Sequence, residues 1–306
     1  MNVLLTGATG FIGQHLVEKL LSDGETVVTL LLREAYSHTD ISPLPATLAK
    51  YRKQFNVVYA DLRNFQLTSR ALREAQPDAV IHLAAAGVSD PFLGVETAVR
   101  HNLTGTVNLL RACFETNHSV KKIVVSRTPG ELTHLNVYAT SKLAAWNFCQ
   151  MYVRTHQWPI IGAMIFQAFG HGQTTRSLVP SAIKAALSHQ DFPMTEGKQA
   201  KDWIYISDVV DGLLATLHAD IPAGTTIDLG SGQPTAVFEI VQKIYAISQS
   251  NGQPLIGAIP SRPGEVQIQQ ADSTRTEALT GWKTAVSLEQ GLSQTIQNIS
   301  VPKSLN

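Results

Sequence analysis

Tyr138 and Lys142 stand four residues apart in Tyr-Ala-Thr-Ser-Lys, at the start of a segment patterned as a helix. Their side chains therefore share one face, about a turn apart. A phenol ionises near pH 10 and is a poor base at neutral pH unless its anion is stabilised, which a neighbouring ammonium does by direct charge interaction. On an ordinary helix the same spacing is a packed ring and a surface amine. A second motif reverses that reading: Thr-Gly-Ala-Thr-Gly-Phe-Ile-Gly, Thr6 to Gly13, follows the apolar run Val3 to Thr6 and opens a helix. In this context Gly7 permits a tight turn, Gly10 lets backbone approach a pyrophosphate, and Gly13 allows close helix-to-strand packing. The helix N-terminus adds free N–H groups and positive potential. Proton transfer beside a bound dinucleotide is the chemistry that the two motifs specify together.

The elements needed to position them are legible as alternating patterns. Strand-like runs at Val3 to Thr6, Thr26 to Leu32, Asn56 to Ala60, Ala79 to Leu83, Lys121 to Ser126 and Ile160 to Phe166 alternate with helical segments. The helices are expected at Ile12 to Leu21, Thr68 to Glu74, Val95 to Asn117 and Tyr138 to Thr155. Near-continuous apolar strands in this rhythm predict an α/β fold, a Rossmann-type doubly wound parallel sheet covered on both faces. After Phe169 the rhythm gives way to Gly, Pro and polar stretches at Gly170 to Thr175, Asp191 to Lys201 and Ser250 to Gly264. A dinucleotide domain over 1–169, with 203–230 returning to it, and a smaller, mostly C-terminal substrate lobe over 170–202 and 231–306 are expected. The site is expected between them, at the carboxyl ends of the strands.

With 306 residues, 44% of them hydrophobic, the chain can bury a sizeable core. Lys plus Arg equal Asp plus Glu at 24 each, so no global field attracts nucleic acid or an anionic membrane, and anionic ligands must be held locally. The longest strongly apolar run, Val27 to Leu32, is too short to span a bilayer. Two cysteines, Cys113 and Cys149, are too few for a secreted disulfide scaffold, and a cytoplasmic setting is expected. The ten histidines show no metal-ligand spacing, and no nucleophile-elbow motif is present.

With His82-Leu-Ala-Ala85, Asn102 and the later Tyr138 to Lys142 motif, the glycine loop resembles the extended short-chain dehydrogenase/reductase family, the nucleotide-sugar epimerases and dehydratases. The resemblance continues through Lys201-Asp-Trp203, Asp228-Leu-Gly-Ser-Gly232 and Arg262-Pro-Gly-Glu265. It implies that Tyr138 is the acid/base, that Lys142 lowers its pKa and holds the nicotinamide ribose, and that a Ser or Thr after the fifth strand is the third member. Thr128 fits that position and Ser126 is the fallback. Cofactor contacts are implied for Gly7, Thr9, Gly10, Phe11, Ile12, Gly13, Arg33, Asp61, Leu62, Leu83, Ala84, Ala85, Asn102, Tyr138 and Lys142. Relatives that use NAD carry an acid at the end of the second strand. Here Leu30 to Leu32 are followed by Arg33, which favours the 2′-phosphate of NADP(H), although Glu34 leaves NAD(H) possible.

Two departures narrow the chemistry. Tyr138 follows Thr128 by only ten positions, and the usual aromatic-glycine end of that motif is missing. Where sugar 4,6-dehydratases carry Asp-Glu, this chain has Pro129 and Gly130, with Glu131 beyond. Hydride transfer at C4 of a nucleotide-linked sugar, as 4-keto reduction or 4-epimerisation, is the leading expectation. A dehydratase, a reductase of a non-nucleotide carbonyl compound and a non-catalytic NAD(P)-sensing protein are the alternatives. On the substrate side the resemblance implies Arg262 at the diphosphate, Gln167 in place of a phosphate-binding Asn, and Lys201 beside the substrate. It also implies a homodimer built on the Val95 to Asn117 and Tyr138 to Thr155 helices.

Overall fold

The computed structural model describes residues 1–33, 44–88, 90, 92–116, 119–261 and 268–300. From the N-terminus run β1 (Asn2–Thr6), α1 (Phe11–Asp23), β2 (Val27–Leu32), α2 (Ala46–Ala49), β3 (Asn56–Tyr59), α3 (Phe65–Ala75) and β4 (Ala79–His82). One long helical segment follows, made of α4 (Val95–Ala98), a π-helix (Val99–Thr104) and α5 (Gly105–Phe114). Next come β5 (Lys122–Arg127), a 3-10 helix (Pro129–Thr133), α6 (Val137–His156), β6 (Ile160–Ile165), β7 (Gln167–Phe169), α7 (Leu178–Leu187), β8 (Phe192–Met194) and β9 (Ala200–Tyr205). The chain continues with α8 (Ile206–His218), β10 (Thr226–Leu229), β11 (Pro234–Ala236), α9 (Val237–Ile247), β12 (Pro254–Ile256), β13 (Ile268–Gln269), α10 (Ser273–Thr280) and α11 (Leu288–Ser300).

Among the described residues the main sheet has seven strands in the order β10-β6-β5-β4-β1-β2-β3. Its β1–β2, β2–β3, β1–β4, β4–β5 and β5–β6 pairings are all parallel. The order reverses at β1, which makes this the doubly wound Rossmann-type arrangement. Parallel strands need covering on both faces, and alternate residues show that they have it. Leu4, Leu31, Val80, Ile123 and Ile160 join a core with Leu72 of α3, Leu109 and Cys113 of α5, and Trp146 and Cys149 of α6. Their neighbours Val3, Leu5, Leu30, Ile81 and Val124 are buried as well.

The chain divides into two compact units, residues 1–164 with 213–227, and 165–212 with 228–306. Within the second unit, β7 pairs with β9 in parallel, β9 pairs with β11 and β13, and β8 pairs with β12. The stretch Asp191 to Lys201, read as irregular, thus contains β8 and the start of β9. Strands of two and three residues are too short to show a period in sequence.

Asp202 organises this second unit. It is fully buried, and its carboxylate accepts hydrogen bonds from Ser231 N (2.6 Å), Ser231 Oγ (2.7 Å), Gly232 N (2.8 Å) and Ala271 N (3.0 Å). No described helix is long and apolar enough to cross a membrane. Replacing Asp202 by Ala orphans three backbone donors, each worth about 1–3 kcal/mol when buried without a partner. Urea unfolding of Asp202→Ala is expected to show a loss of about 3 kcal/mol or more, with Asp202→Asn intermediate. A loss under about 1 kcal/mol contradicts the bracing role.

Candidate active site

The glycine loop joins β1 to α1 and is shaped by close approach. Gly7 has φ +76°, and a Cβ there would come within 2.6 Å of Ala84 N. A Cβ on Gly13 would lie 2.2 Å from Gly7 O. Gly10 differs: it is exposed, closes the turn through Gly10 N to Gly7 O (3.0 Å), and would bring a Cβ near nothing but that oxygen, at 3.3 Å. Among the described residues α1 opens with no side-chain cap and no acid in its first turn. Its first N–H groups are therefore available to an anion, and the loop fits a dinucleotide pyrophosphate. Thr9, Phe11 and Ile12 are half-buried around it, with the Phe11 ring edge-on to His15.

Behind the loop lies a buried hydrogen-bonded chain. Ala84 N donates to Thr6 Oγ1 (3.2 Å), which lies 2.7 Å from His82 Nδ1, while His82 Nε2 lies 2.9 Å from Thr106 Oγ1. Thr106 spends its proton on Asn102 O (2.6 Å), so its oxygen accepts from His82 Nε2–H. Nδ1 is then the acceptor of the Thr6 hydroxyl proton, which fixes the neutral tautomer. Burial, with the Lys142 charge adding to it, pushes His82 down to about 3. Asn102, on the π-helix, commits both amide hydrogens, one to Ala86 O (3.0 Å) and one to Ser141 Oγ (2.9 Å). Its Oδ1 accepts from Ala86 N (2.8 Å). The loop carrying Leu83, Ala84 and Ala85 is thereby tied to α6.

At the end of β2, Leu31 and Leu32 are buried and Arg33 is exposed; Glu34 lies outside the described residues. Asp61, just past β3, accepts from Arg63 N and from Arg63 Nε, both at 2.9 Å, and pairs with Arg63 Nη2. The Arg63 hydrogen bonds hold its carboxyl below the usual range. The carbonyl of Leu62 accepts from Asn108 Nδ2 (2.9 Å). Burial lowers the pKa of nearby His101, and the positive charges of Arg63, Arg33 and Arg100 add to this against Asp61.

Helix α6 is capped by Asn136, whose Oδ1 accepts from Ala139 N (2.9 Å), and so Tyr138 falls in its first turn. Lys142 is 3% exposed, and its Nζ lies 3.4 Å from Ser126 Oγ on β5. Burial raises the Tyr138 phenol, and the Glu131 charge raises it further. Burial lowers the Lys142 ammonium; the Glu131 charge opposes this and Arg127 adds to it. Thr128 stands at the N-cap of the 3-10 helix, and its N–H donates to Glu131 Oε1 (3.0 Å). Sequence reasoning missed the buried ion pair beside it, Arg127 Nη2 to Glu131 Oε2 at 2.8 Å. Two opposite charges four apart, at the junction of an apolar strand and a short connection, were the available signal.

The expected substrate-side residues that are described lie in the second unit. Gln167 is exposed and stands opposite Trp203 in register. Lys201 Nζ donates to Gln269 Oε1 (3.3 Å), and His171 Nδ1 lies 3.5 Å from Tyr205 Oη. Arg262 lies outside the described residues.

The sequence profile of the NAD dependent epimerase/dehydratase family matches residues 3–230. An uncharacterized UDP-glucose epimerase of Bacillus subtilis is 30% identical, over 98% of this chain and 98% of its own. A dTDP-glucose 4,6-dehydratase of Xanthomonas campestris is 27% identical, over 96% and 91%. Among solved structures, a UDP-glucuronic acid 4-epimerase from Bacillus cereus, in complex with UDP-glucuronic acid and NAD, superposes with a TM-score of 0.82 at 25% identity. That likeness covers 98% of this chain and 99% of the other.

His82 gives the site a pH signature. Its folded pKa lies below its unfolded value near 6.5, so the unfolded chain binds the extra proton and stability falls as pH drops from about 6.5 towards 3. Below about pH 5.5 this one group is expected to contribute a slope near 1.4 kcal/mol per pH unit. Urea unfolding between pH 7 and 5, in about half-unit steps, is expected to show a shallower slope in His82→Gln than in the parent. Equal slopes contradict a neutral, buried His82.

Proposed function

The chain belongs to the NAD dependent epimerase/dehydratase family, and from that premise we propose that it moves hydride at C4 of a nucleotide-linked sugar. The observation that carries this reading is the buried Lys142 side chain, one helical turn from Tyr138 on α6 and in contact with Ser126 of β5. A nicotinamide dinucleotide, when bound, supplies the acceptor and donor of hydride. Gly7, Gly10 and Gly13 with the N-terminus of α1 would hold its pyrophosphate. Tyr138 takes the proton from the C4 hydroxyl during oxidation and returns it during reduction. Tyr138 must be the phenolate to accept that proton, and Lys142 stabilises this phenolate against the upward push of burial. Thr128, or Ser126, donates a hydrogen bond to the reacting oxygen.

Both carboxylate oxygens of Glu131 are committed, one to Thr128 N and the other to Arg127. With Pro129 and Gly130 preceding it, the acid/base pair of an elimination has no evident source here. This supports epimerisation or ketoreduction, while the dehydratase names among the relatives support elimination as the second reading.

Arg33, with Arg63 and Arg100 also acting on His101, makes the adenosine-ribose end basic, which favours NADP(H) over the NAD found with the Bacillus cereus enzyme. The second unit, with Gln167, Lys201 and Arg262, is proposed to hold the nucleotide sugar. Val95, Val99 and Phe148 are exposed apolar residues on α4, the π-helix and α6, and a second copy covering them would form a homodimer. The buried free cysteines fit a reducing cytoplasm.

Titration with NADPH and NADH is expected to favour NADPH, and Arg33→Ala to erase the preference; equal affinities in the parent favour an epimerase that retains NAD. Across UDP- and dTDP-hexoses, Tyr138→Phe is expected to lose about 10²–10⁴-fold in turnover. Full activity in that variant refutes the role of Tyr138. Sedimentation of Val99→Glu is expected to give a monomer where the parent is a dimer; a parent that sediments as a monomer refutes the dimer.

A further inference from the structure

Nine residues join Thr128 to Tyr138, and they are held by an ion pair with a site of its own. The Arg127 and Glu131 side chains are 8% and 0% exposed. The guanidinium donates through Nε (2.9 Å) and Nη2 (2.8 Å) to Glu131 Oε2, and through Nη1 to Thr226 Oγ1 (2.7 Å). It lies 4.5 Å from the centroid of the Trp146 ring on α6. Gly162 on β6 makes room: a Cβ there would lie 2.9 Å from Arg127 Cδ, 2.9 Å from the Trp146 ring and 3.0 Å from Thr226 Oγ1. Three elements are thus shaped around one arginine. The free oxygen of Glu131 receives Thr128 N at 3.0 Å, so the pair grips the backbone of the candidate catalytic threonine.

We propose that Arg127 and Glu131 are positioning residues of the active site: the pair fixes the backbone of Thr128 across the short connection, and, seated next to Ser126, the contact of Lys142 Nζ, and against Trp146, one helical turn past Lys142 on α6, it sets the charge felt by Lys142. The proposal rests on reading Thr128, Tyr138 and Lys142 as the reacting set. The titratable and charged groups that act on Lys142 are His82 from β4, Arg127 from β5, Glu131 from the 3-10 helix and Cys149 from α6, while Tyr138 stands one turn away on the same helix. His82 is neutral, burial pushes the Cys149 thiol up to about 12, and burial raises Tyr138. That leaves Glu131 as the anion and Arg127 as the competing cation. An ammonium surrounded by neutral groups would shed its proton, and a carboxylate beside it opposes that.

The test is a lysine ¹³Cε NMR titration of the full chain, with the Lys142 signal assigned by its loss in Lys142→Met. Glu131→Gln is expected to lower the Lys142 midpoint by about half a unit or more, and Arg127→Met to raise it. A group that merely holds the fold would not give opposite signs from the two halves of one pair. An unchanged midpoint, or a rise, in Glu131→Gln overturns the proposal. If the single variants do not fold, the apolar replacement Arg127→Met/Glu131→Met is read by amide exchange at Thr128, expected to be at least about tenfold faster than in the parent. Unchanged exchange there overturns the proposal. A double variant that fails to fold shows the pair to be purely structural, and also overturns it. None of these readouts needs turnover, so a chain inactive on every sugar nucleotide would refute the catalytic reading and leave this result standing on its own.

Discussion

A lysine ammonium 3% exposed is the constraint on which the first unit depends. Taking a cation out of water costs several kcal/mol unless charge and hydrogen bonds replace its hydration. Several surrounding features fit that requirement. His82 is locked neutral between two threonines, so it adds no second positive charge. Ser126 offers an oxygen at 3.4 Å. Glu131 supplies the negative charge, and Arg127 keeps that carboxylate in place. In the proposed reaction the same ammonium would stabilise the Tyr138 phenolate, so fold and chemistry make opposing demands on one side chain.

The hydrogen-bonded chain behind the glycine loop links this charge cluster to the dinucleotide cradle. Thr6 ends β1, holds Ala84 N, and meets His82, whose other nitrogen reaches the helical segment carrying Asn102. Asn102 in turn binds Ser141, the residue before Lys142, and Ser141 donates to Tyr138 O at 2.7 Å. A continuous run of buried polar contacts thus extends from the turn at Gly7 to the backbone of Tyr138. The π-helix fits here, because a wider turn re-aims the side chains that follow it and such turns recur at functional sites.

Much of the sheet was legible because buried parallel strands leave continuous apolar runs, as at Val27 to Leu32, and because the glycine loop has a fixed relation to β1 and α1. The π-helix was not legible, since one residue of extra winding inside Val95 to Phe114 leaves the apolar pattern nearly intact. Strands β8 and β13 are too short to carry a period. The segment after Thr128 departs from the pattern that the family resemblance implies, yet the consequence lay in pairing rather than pattern: Arg127 and Glu131 read as ordinary polar residues until Gly162, Trp146 and Thr226 are seen around them. Asp202, legible only as the middle of the Lys201-Asp-Trp203 motif, acquires its four hydrogen bonds from segments about 30 and 70 residues away, a kind of closure that sequence spacing does not encode.

The proposed reaction requires that hydride leave C4. The most direct measurement supplies UDP- and dTDP-hexoses carrying deuterium at C4, with NADP⁺ or NAD⁺, and follows the label in sugar and nicotinamide by mass spectrometry. With the parent protein, deuterium is expected to reach the nicotinamide or to return to an inverted C4, and Tyr138→Phe is expected to stop both. Label that stays at an unchanged C4 in every sugar tested, while the protein holds cofactor, would contradict the proposed reaction.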